Sequence, residues 1–378
     1  MKVSKRLGAG ATLLTVLALG ACASEASEAP LVLDGVPAFE GDLSWPTLPA
    51  TWIIGPGTGI YVDAKEHVWV LHRPERLSEE QIAAAQNPDI PGCCVPAPPL
   101  IEIDPQGNVV QAWGSVEPAP NWPEMPHGVF VDHNDFVWVA TSIFHQVMKF
   151  TRDGQHLMTL GTYGEVAGFD DTHLLSGSAA IYVDPERNEL YVADGYNNRR
   201  IIVFDAETGA YRRHWGAYGE APPEAPAGGG GGGRAGGEPP PALPRVFNLP
   251  HGVTGSNDGL IYVADRGNSR VQVFTREGEF VREARVRDGG TGAFDVAFSH
   301  DPAQRFLYVA DGAQHKIWIL ERTTLEVLGE FGSEGTGPGQ FGRPHNMAAD
   351  GRGNLYVAEA DPGFRWQKLV FTGTVPRN

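Results

Sequence analysis

The sequence predicts an all-β fold: a six-bladed β-propeller of four-stranded blades, closed by an N-terminal strand. Three observations predict it. The first is composition, with 48 Gly and 30 Pro in 378 residues, about a fifth of the chain, beside 42% hydrophobic and 10% aromatic residues. So many turn-formers among apolar residues read as short strands joined by tight turns, and long helical bundles are excluded. The second is a repeated phrase in which an aromatic sits between apolar residues, usually followed by a small residue and an acid. It occurs at Val68-Trp69-Val70, Val137-Trp138-Val139-Ala140, Leu190-Tyr191-Val192-Ala193-Asp194, Ile261-Tyr262-Val263-Ala264-Asp265, Leu307-Tyr308-Val309-Ala310-Asp311 and Leu355-Tyr356-Val357-Ala358-Glu359. The aromatic positions follow a base period of about 45–50 residues broken by two insertions. The third is that the sixth repeat runs out after its third strand, near Phe371.

Each repeat supplies its strands in order. One precedes the phrase, as at Val129–Asp132, and the phrase is the second. An apolar third strand follows at Ile101–Ile103, Val147–Phe150, Ile201–Phe204, Val271–Phe274, Ile317–Leu320 and Trp366–Phe371. A polar turn then leads to a fourth, as at Asn108–Gly114 or Tyr211–Gly216. Blades of this kind cannot bury their faces alone, so the ring must close. The strand missing from the sixth repeat is expected from Pro37–Trp45, which makes residues 37–375 a single propeller domain. Residues 74–99 form one insertion, with a helical turn expected at Ser78–Ala85. Residues 219–245 form the other. Its run Gly228–Gly233 reads as a flexible linker, because the strand–GxGxxG–helix setting of a phosphate loop is missing.

The N-terminus reads as an address. Lys2, Lys5 and Arg6 precede an apolar stretch from Leu7 to Leu19 that is too short to span a bilayer as a mature helix. It ends at Leu19-Gly20-Ala21-Cys22, which resembles a bacterial lipobox, so residues 1–21 are expected to be a signal peptide and Cys22 the acylated mature terminus. Residues 22–36 then form the lipidated Cys and a tether. With Ala23 next, the expected location is the cell envelope, at the outer membrane facing the periplasm, or outside the cell. Membrane attachment is expected only through Cys22, and the protein is expected to be monomeric. The formal charge is −17, and about −20 once three leader cations are removed, which argues against nucleic acid as a partner. Two adjacent cysteines remain, Cys93 and Cys94, and either a vicinal disulfide or two free thiols fits the sequence.

Candidate chemistry lies in the first strands. Pro126-His127, Pro250-His251 and Pro344-His345 each place a His 11 residues before the aromatic of blades two, four and six. Small residues, Thr58, Ala180 and Ala297, hold that position in blades one, three and five. Alternate blades of a six-fold ring are a third of a turn apart, so the imidazoles converge on the axis. Three His with an open fourth position is the donor set of a catalytic zinc. Inheritance of a Pro-His turn by repeat duplication would explain its recurrence but not its alternation. Arg73 and Arg266 lie four residues past their blades' aromatics and could hold a carboxylate, and Tyr196 lies five past its own. A Tyr beside a cationic centre can reach a depressed pKa and act as a base. The acids ending the phrase, Asp194, Asp265, Asp311 and Glu359, recur too regularly for catalysis and are expected to accept backbone N–H bonds in each blade.

These motifs carry a resemblance. Leu71-His72-Arg73, Pro126-His127-Gly128, Asp194-Gly195-Tyr196-Asn197-Asn198-Arg199, Pro250-His251-Gly252, Ala264-Asp265-Arg266-Gly267-Asn268 and Pro344-His345-Asn346 together resemble the NHL-repeat propellers of peptidyl-α-hydroxyglycine α-amidating lyases, over nearly the whole mature domain. The resemblance implies a zinc held by His127, His251 and His345, with Tyr196 as catalytic tyrosine and Arg73 and Arg266 as active-site arginines. It also implies a structural calcium in the channel, held partly by an Asp that is Asn346 here, a lost charge that puts the calcium in question. The animal members' Cys beside the tyrosine is Asn197 here, so that disulfide is missing. The implied reaction is a carbon–nitrogen lyase step on an N-acyl-α-hydroxyglycine, giving an amide and glyoxylate without a redox cofactor. A peptide or a smaller carboxylate-bearing hemiaminal would satisfy the same site. The alternative is a non-catalytic NHL propeller serving as an envelope binding or scaffold protein. A calcium-dependent lactonase would need a Glu/Asn/Asp metal site instead.

Overall fold

The computed structural model describes Met1 and residues 35–376, apart from 88, 118 and 222–243. The leader, Cys22, nearly all of the tether and the greater part of the second insertion therefore lie outside the described residues. Six four-stranded antiparallel sheets follow one another along the chain, and their innermost strands are Gly57–Val62, Pro126–Val131, Ser178–Asp184, Pro250–Gly255, Asp295–Phe298 and Pro344–Ala349. Each innermost strand packs on the next, and the last packs on the first, which closes the ring. The protein is an all-β six-bladed propeller.

Burial falls from the axis outward and explains each strand's composition. The second strands, such as Leu190–Asp194 within Glu189–Asp194, are buried on both faces and read as unbroken apolar runs. The outermost strands, such as Tyr211–Trp215 and Phe280–Arg285, are half-exposed and polar. Among the described residues the apolar core divides into six clusters, each built from two neighbouring blades. The aromatic of each repeated phrase, from Trp69 to Tyr356, enters the cluster shared with the following blade. Its polar end is satisfied locally in several blades. Trp69 Nε1 donates to Asp63 at 3.0 Å, Trp138 Nε1 to Asp132 at 2.8 Å and Tyr356 Oη to Asp350 at 3.0 Å. The other oxygen of each Asp accepts two backbone N–H groups and caps the hairpin between first and second strands.

Closure follows the expected route. Val36–Asp42 pairs antiparallel with Arg365–Val375 and becomes the outermost strand of blade six. Phe39 fastens it, with its ring 5.0 Å from Phe331, 5.7 Å from Tyr308 and 6.2 Å from Phe371. In the first insertion the helix is Glu79–Ala85, with Ser78 and Gln81 forming a capping box. Its end is tied to the returning chain, because the Gln86 side chain bonds both the N–H and the C=O of Cys94. Cys93 and Cys94 are joined as a vicinal disulfide. No helix among the described residues is long and apolar enough to cross a membrane.

Phe39→Ala should lower the free energy of unfolding by about 2 kcal/mol, below the range for a fully buried Phe because this ring is partly exposed. Urea denaturation measures it, with Val166→Ala at an exposed loop position as a control near zero. Equal small effects would mean that the closing strand contributes little to the ring.

Candidate functional site

The three candidate ligands sit at equivalent kinks in the innermost strands. Pairing between first and second strands shifts register between Pro126 and Gly128, between Pro250 and Gly252, and between Pro344 and Asn346, so each intervening His is the unpaired residue of a bulge. A bulge bends the strand and re-aims its side chain. The imidazoles converge with ring centroids 4.7–4.9 Å apart, and one nitrogen from each lies within 4.8 Å of the other two. All three are at most 5% exposed. Each Nδ1 faces a backbone carbonyl of the next blade: His127 to Ala179 at 2.7 Å, His251 to Phe294 at 2.7 Å and His345 to Thr58 at 3.0 Å. A carbonyl accepts only, so Nδ1 carries the proton and Nε2 turns its lone pair to the common centre. Burial, mutual repulsion and the nearby arginines hold His127 and His251 well below the ordinary imidazole pKa. Burial, then Arg266, holds His345 down to about 3. Three neutral, convergent, pre-oriented imidazoles fit a divalent metal, and the residues present match that donor set.

Tyr196 reaches the same centre from the loop after Glu189–Asp194. Its N–H and that of Gly195 both bond the Gly177 carbonyl, at 3.0 and 3.2 Å. Gly177 is required there: its φ is +100°, and a Cβ would lie 2.5 Å from that of Tyr196. The phenol Oη stands 2.7 Å from His127 Nε2 and 3.3 Å from His251 Nε2. Arg266 lies beside it, stacked 3.8 Å from the centroid of Phe294, with its buried Nε lacking a hydrogen-bond partner. Arg73 is committed to the protein instead. Its Nε donates to the Pro126 carbonyl at 2.8 Å, and its Nη2 donates to Ser142 Oγ at 2.9 Å and the Met125 carbonyl at 3.3 Å. Arg266 turns its guanidinium to Tyr196 and keeps its Nε unpartnered, whereas Arg73 braces the backbone just before the His127 bulge and the Ser142 hydroxyl. Within the protein alone, burial raises the Tyr196 pKa more than the two guanidiniums lower it.

The NHL repeat family profile matches residues 247–274, which hold most of blade four. The chain is 26% identical over 342 residues to peptidyl-glycine alpha-amidating monooxygenase B of Xenopus laevis, covering 87% of this chain and 35% of that protein. It is 27% identical over 290 residues to peptidyl-alpha-hydroxyglycine alpha-amidating lyase 1 of Drosophila melanogaster, covering 72% of this chain and 48% of that one. It thus spans between about a third and a half of these relatives. The chain is a distant homologue of the amidating lyases. A streptogramin B lyase structure superposes with a TM-score of 0.51 over 89% of this chain and 98% of its own, at 13% identity, a likeness of fold alone.

Asn346, the position in question for calcium, spends its side chain within the site. Its Oδ1 accepts from His345 Nδ1 at 2.6 Å, and its Nδ2 donates to Asp295 at 3.2 Å. Neither contact supports a calcium there. The phrase-ending acids do accept backbone N–H groups: Asp194 from Ser176, Asp265 from Asn248, Asp311 from Ala313 and Gln314, and Glu359 from Gly342. Each also pairs with an arginine, Arg200, Arg270, Arg287 and Arg365 in that order, which sequence reasoning missed. The signal was present in three blades as an Arg five or six residues after the acid. Exposed Arg343, two residues before His345, was also missed, and its charge acts on Arg266. A second acid–His group, Asp63, His67 and Glu102, already has the Arg152 guanidinium against Asp63 and Glu102.

His72, next to Arg73, is fully buried between the Gly55 N–H at 3.1 Å and the Pro98 carbonyl at 3.0 Å, and burial holds it down to about 4. The unfolded chain, with a His near 6.5, binds protons first as pH falls. Stability from this group is complete above about pH 6.5 and is lost toward pH 4. Unfolding of metal-free protein at pH 7 and pH 5 should show a loss that includes about 2 kcal/mol from His72. That share should vanish in His72→Gln, and an unchanged pH slope would contradict the assignment.

Proposed function

We propose that the protein is a metal-dependent carbon–nitrogen lyase that converts an N-acyl-α-hydroxyglycine into an amide and glyoxylate, with zinc as the metal. The observation that carries this reading is the Tyr196 hydroxyl set against two imidazoles of a convergent tripod, beside Arg266, whose buried Nε has no hydrogen-bond partner. Homology to the amidating lyases supports it.

Arg266 would bind the substrate carboxylate and bring the α-hydroxyl to Tyr196. The two arginines do not bring the phenol below its ordinary pKa. A divalent metal held by His127, His251 and His345 supplies the further positive charge, as a Lewis acid beside the phenol. Ionised Tyr196 takes the hydroxyl proton, the C–O bond becomes a carbonyl, and the C–N electron pair leaves to nitrogen. Nitrogen is then protonated, and Tyr196 is the nearest group able to return the proton. Atoms and charge balance, and no redox cofactor is consumed. Arg73 would keep the His127 bulge and Ser142 in place. In the cell, lipidation at Cys22 would anchor the enzyme in the envelope.

Incubation with an N-acyl-α-hydroxyglycine should release glyoxylate, and chelation should abolish release. Tyr196→Phe should lose about 100-fold or more in kcat while retaining its metal. Wild-type-like turnover of that variant would remove Tyr196 as base. Arg266→Ala should lower kcat/KM about 10–100-fold, chiefly through KM. No metal-dependent glyoxylate from the wild type would leave a propeller that binds without catalysing.

A further inference from the structure

The three tripod histidines are not equivalent behind the metal-facing edge. His127 and His251 each give Nδ1–H to one backbone carbonyl, whereas His345 Nδ1 also meets Asn346 Oδ1 at 2.6 Å. The residue after the His is Gly in blades two and four, and no side chain fits there. A Cβ on Gly128 would lie 2.7 Å from the Ala179 carbonyl, and one on Gly252 would lie 2.6 Å from Asp295 Oδ1. Blade six alone carries a side chain at that step, and it reaches Asp295 on the innermost strand of blade five. Asp295 is 8% exposed, and the oxygen that accepts from Asn346 also accepts the Met347 N–H at 2.9 Å.

Burial pushes the Asp295 carboxyl up to about 7, but its Oδ2 already accepts the Met347 N–H and so acts as an acceptor, which draws the Asn346 NH2 toward it and leaves the amide oxygen facing His345. The reversed amide would set oxygen against carboxylate and NH2 against the imidazole N–H. Each donation polarises the next, and an outer partner of this kind makes Nε2 of a ligating histidine more basic. We propose that Asp295, acting through Asn346, is a positioning residue that gives the His345 Nδ1–H a second acceptor beside the Thr58 carbonyl and so strengthens His345 as a metal ligand. The proposal rests on the metal-centre part of the reading above and is independent of the substrate.

Zinc affinity, measured by competition with a chromophoric chelator, tests it on the wild type, Asp295→Asn, Asn346→Ala and the double variant. Each single substitution should weaken zinc binding about 10–100-fold. The double variant should bind no more weakly than Asn346→Ala, because Asp295 acts through that amide. Ring 1H–15N spectra of the zinc-free proteins give a second readout. The His345 Nδ1–H proton, with two acceptors, should lie downfield of those of His127 and His251 in the wild type and move toward them in Asp295→Asn, while those two stay where they are. A general loosening of the fold would disturb all three. Unchanged zinc affinity and an unchanged His345 Nδ1–H shift in Asp295→Asn would overturn the proposal, as would additive losses in the double variant or a wild type that binds no zinc. A wild type that binds zinc but releases no glyoxylate would remove the lyase reading and leave this one standing.

Discussion

Everything at the centre of this ring depends on one hydrogen bond made three times, from the Nδ1–H of a histidine in an even-numbered blade to a backbone carbonyl in the next odd one. The carbonyls of Thr58 and Ala179 are available because blades one and three break their own pairing at those positions. Phe294 lies just before the innermost strand of blade five and donates its N–H to Ala310, leaving its carbonyl to face His251. Alternation therefore has a mechanical reason: one blade supplies the ligand and its neighbour supplies the acceptor. A histidine in all six blades would crowd the axis and lose those partners.

The same bond links packing to chemistry. Six interblade clusters hold adjacent innermost strands in register, and the histidine bonds cross three of those six interfaces. The site inherits its precision from the ring. Its loops are fixed by a second repeated device, the buried or partly buried acid–arginine pairs. Asp194, for example, takes the Ser176 N–H on one oxygen and Arg200 on the other, which sets the approach of the chain to Gly177 and Tyr196. Much of the net acidity stays outside this zone, and Arg73, Arg266 and Arg343 give the site a positive character suited to a carboxylate.

Legibility in the sequence divides along physical lines. The blades were readable because each buries an aromatic in its second strand, a constraint on side-chain type. Longer hairpins in blades three and five, however, place Ala179 and Phe294, and not Ala180 and Ala297, at the register of the histidines. Closure was readable because a ring with a missing strand leaves an open edge. Convergence of the histidines followed from repeat register alone. What the sequence did not carry was the direction of side chains with more than one option. Arg73 and Arg266 occupy the same repeat position, yet Arg73 is bound to backbone and Ser142 while Arg266 turns to Tyr196 and Phe294, because blade two offers Met125, Pro126 and Ser142 to the Arg73 guanidinium. The acceptors of Nδ1 are backbone groups and leave no trace in residue identity. Asn346 read as a lost carboxylate, and its bond to Asp295 in another blade needed coordinates.

The central claim is that three neutral imidazoles, each oriented through Nδ1, hold one metal ion beside Tyr196. X-ray absorption at the zinc edge, on protein of measured zinc content, tests it most directly. The account predicts one zinc per chain and a spectrum fitted by three histidine nitrogens with a fourth oxygen or nitrogen ligand. Substoichiometric zinc, fewer than three imidazoles or a sulfur ligand would contradict it.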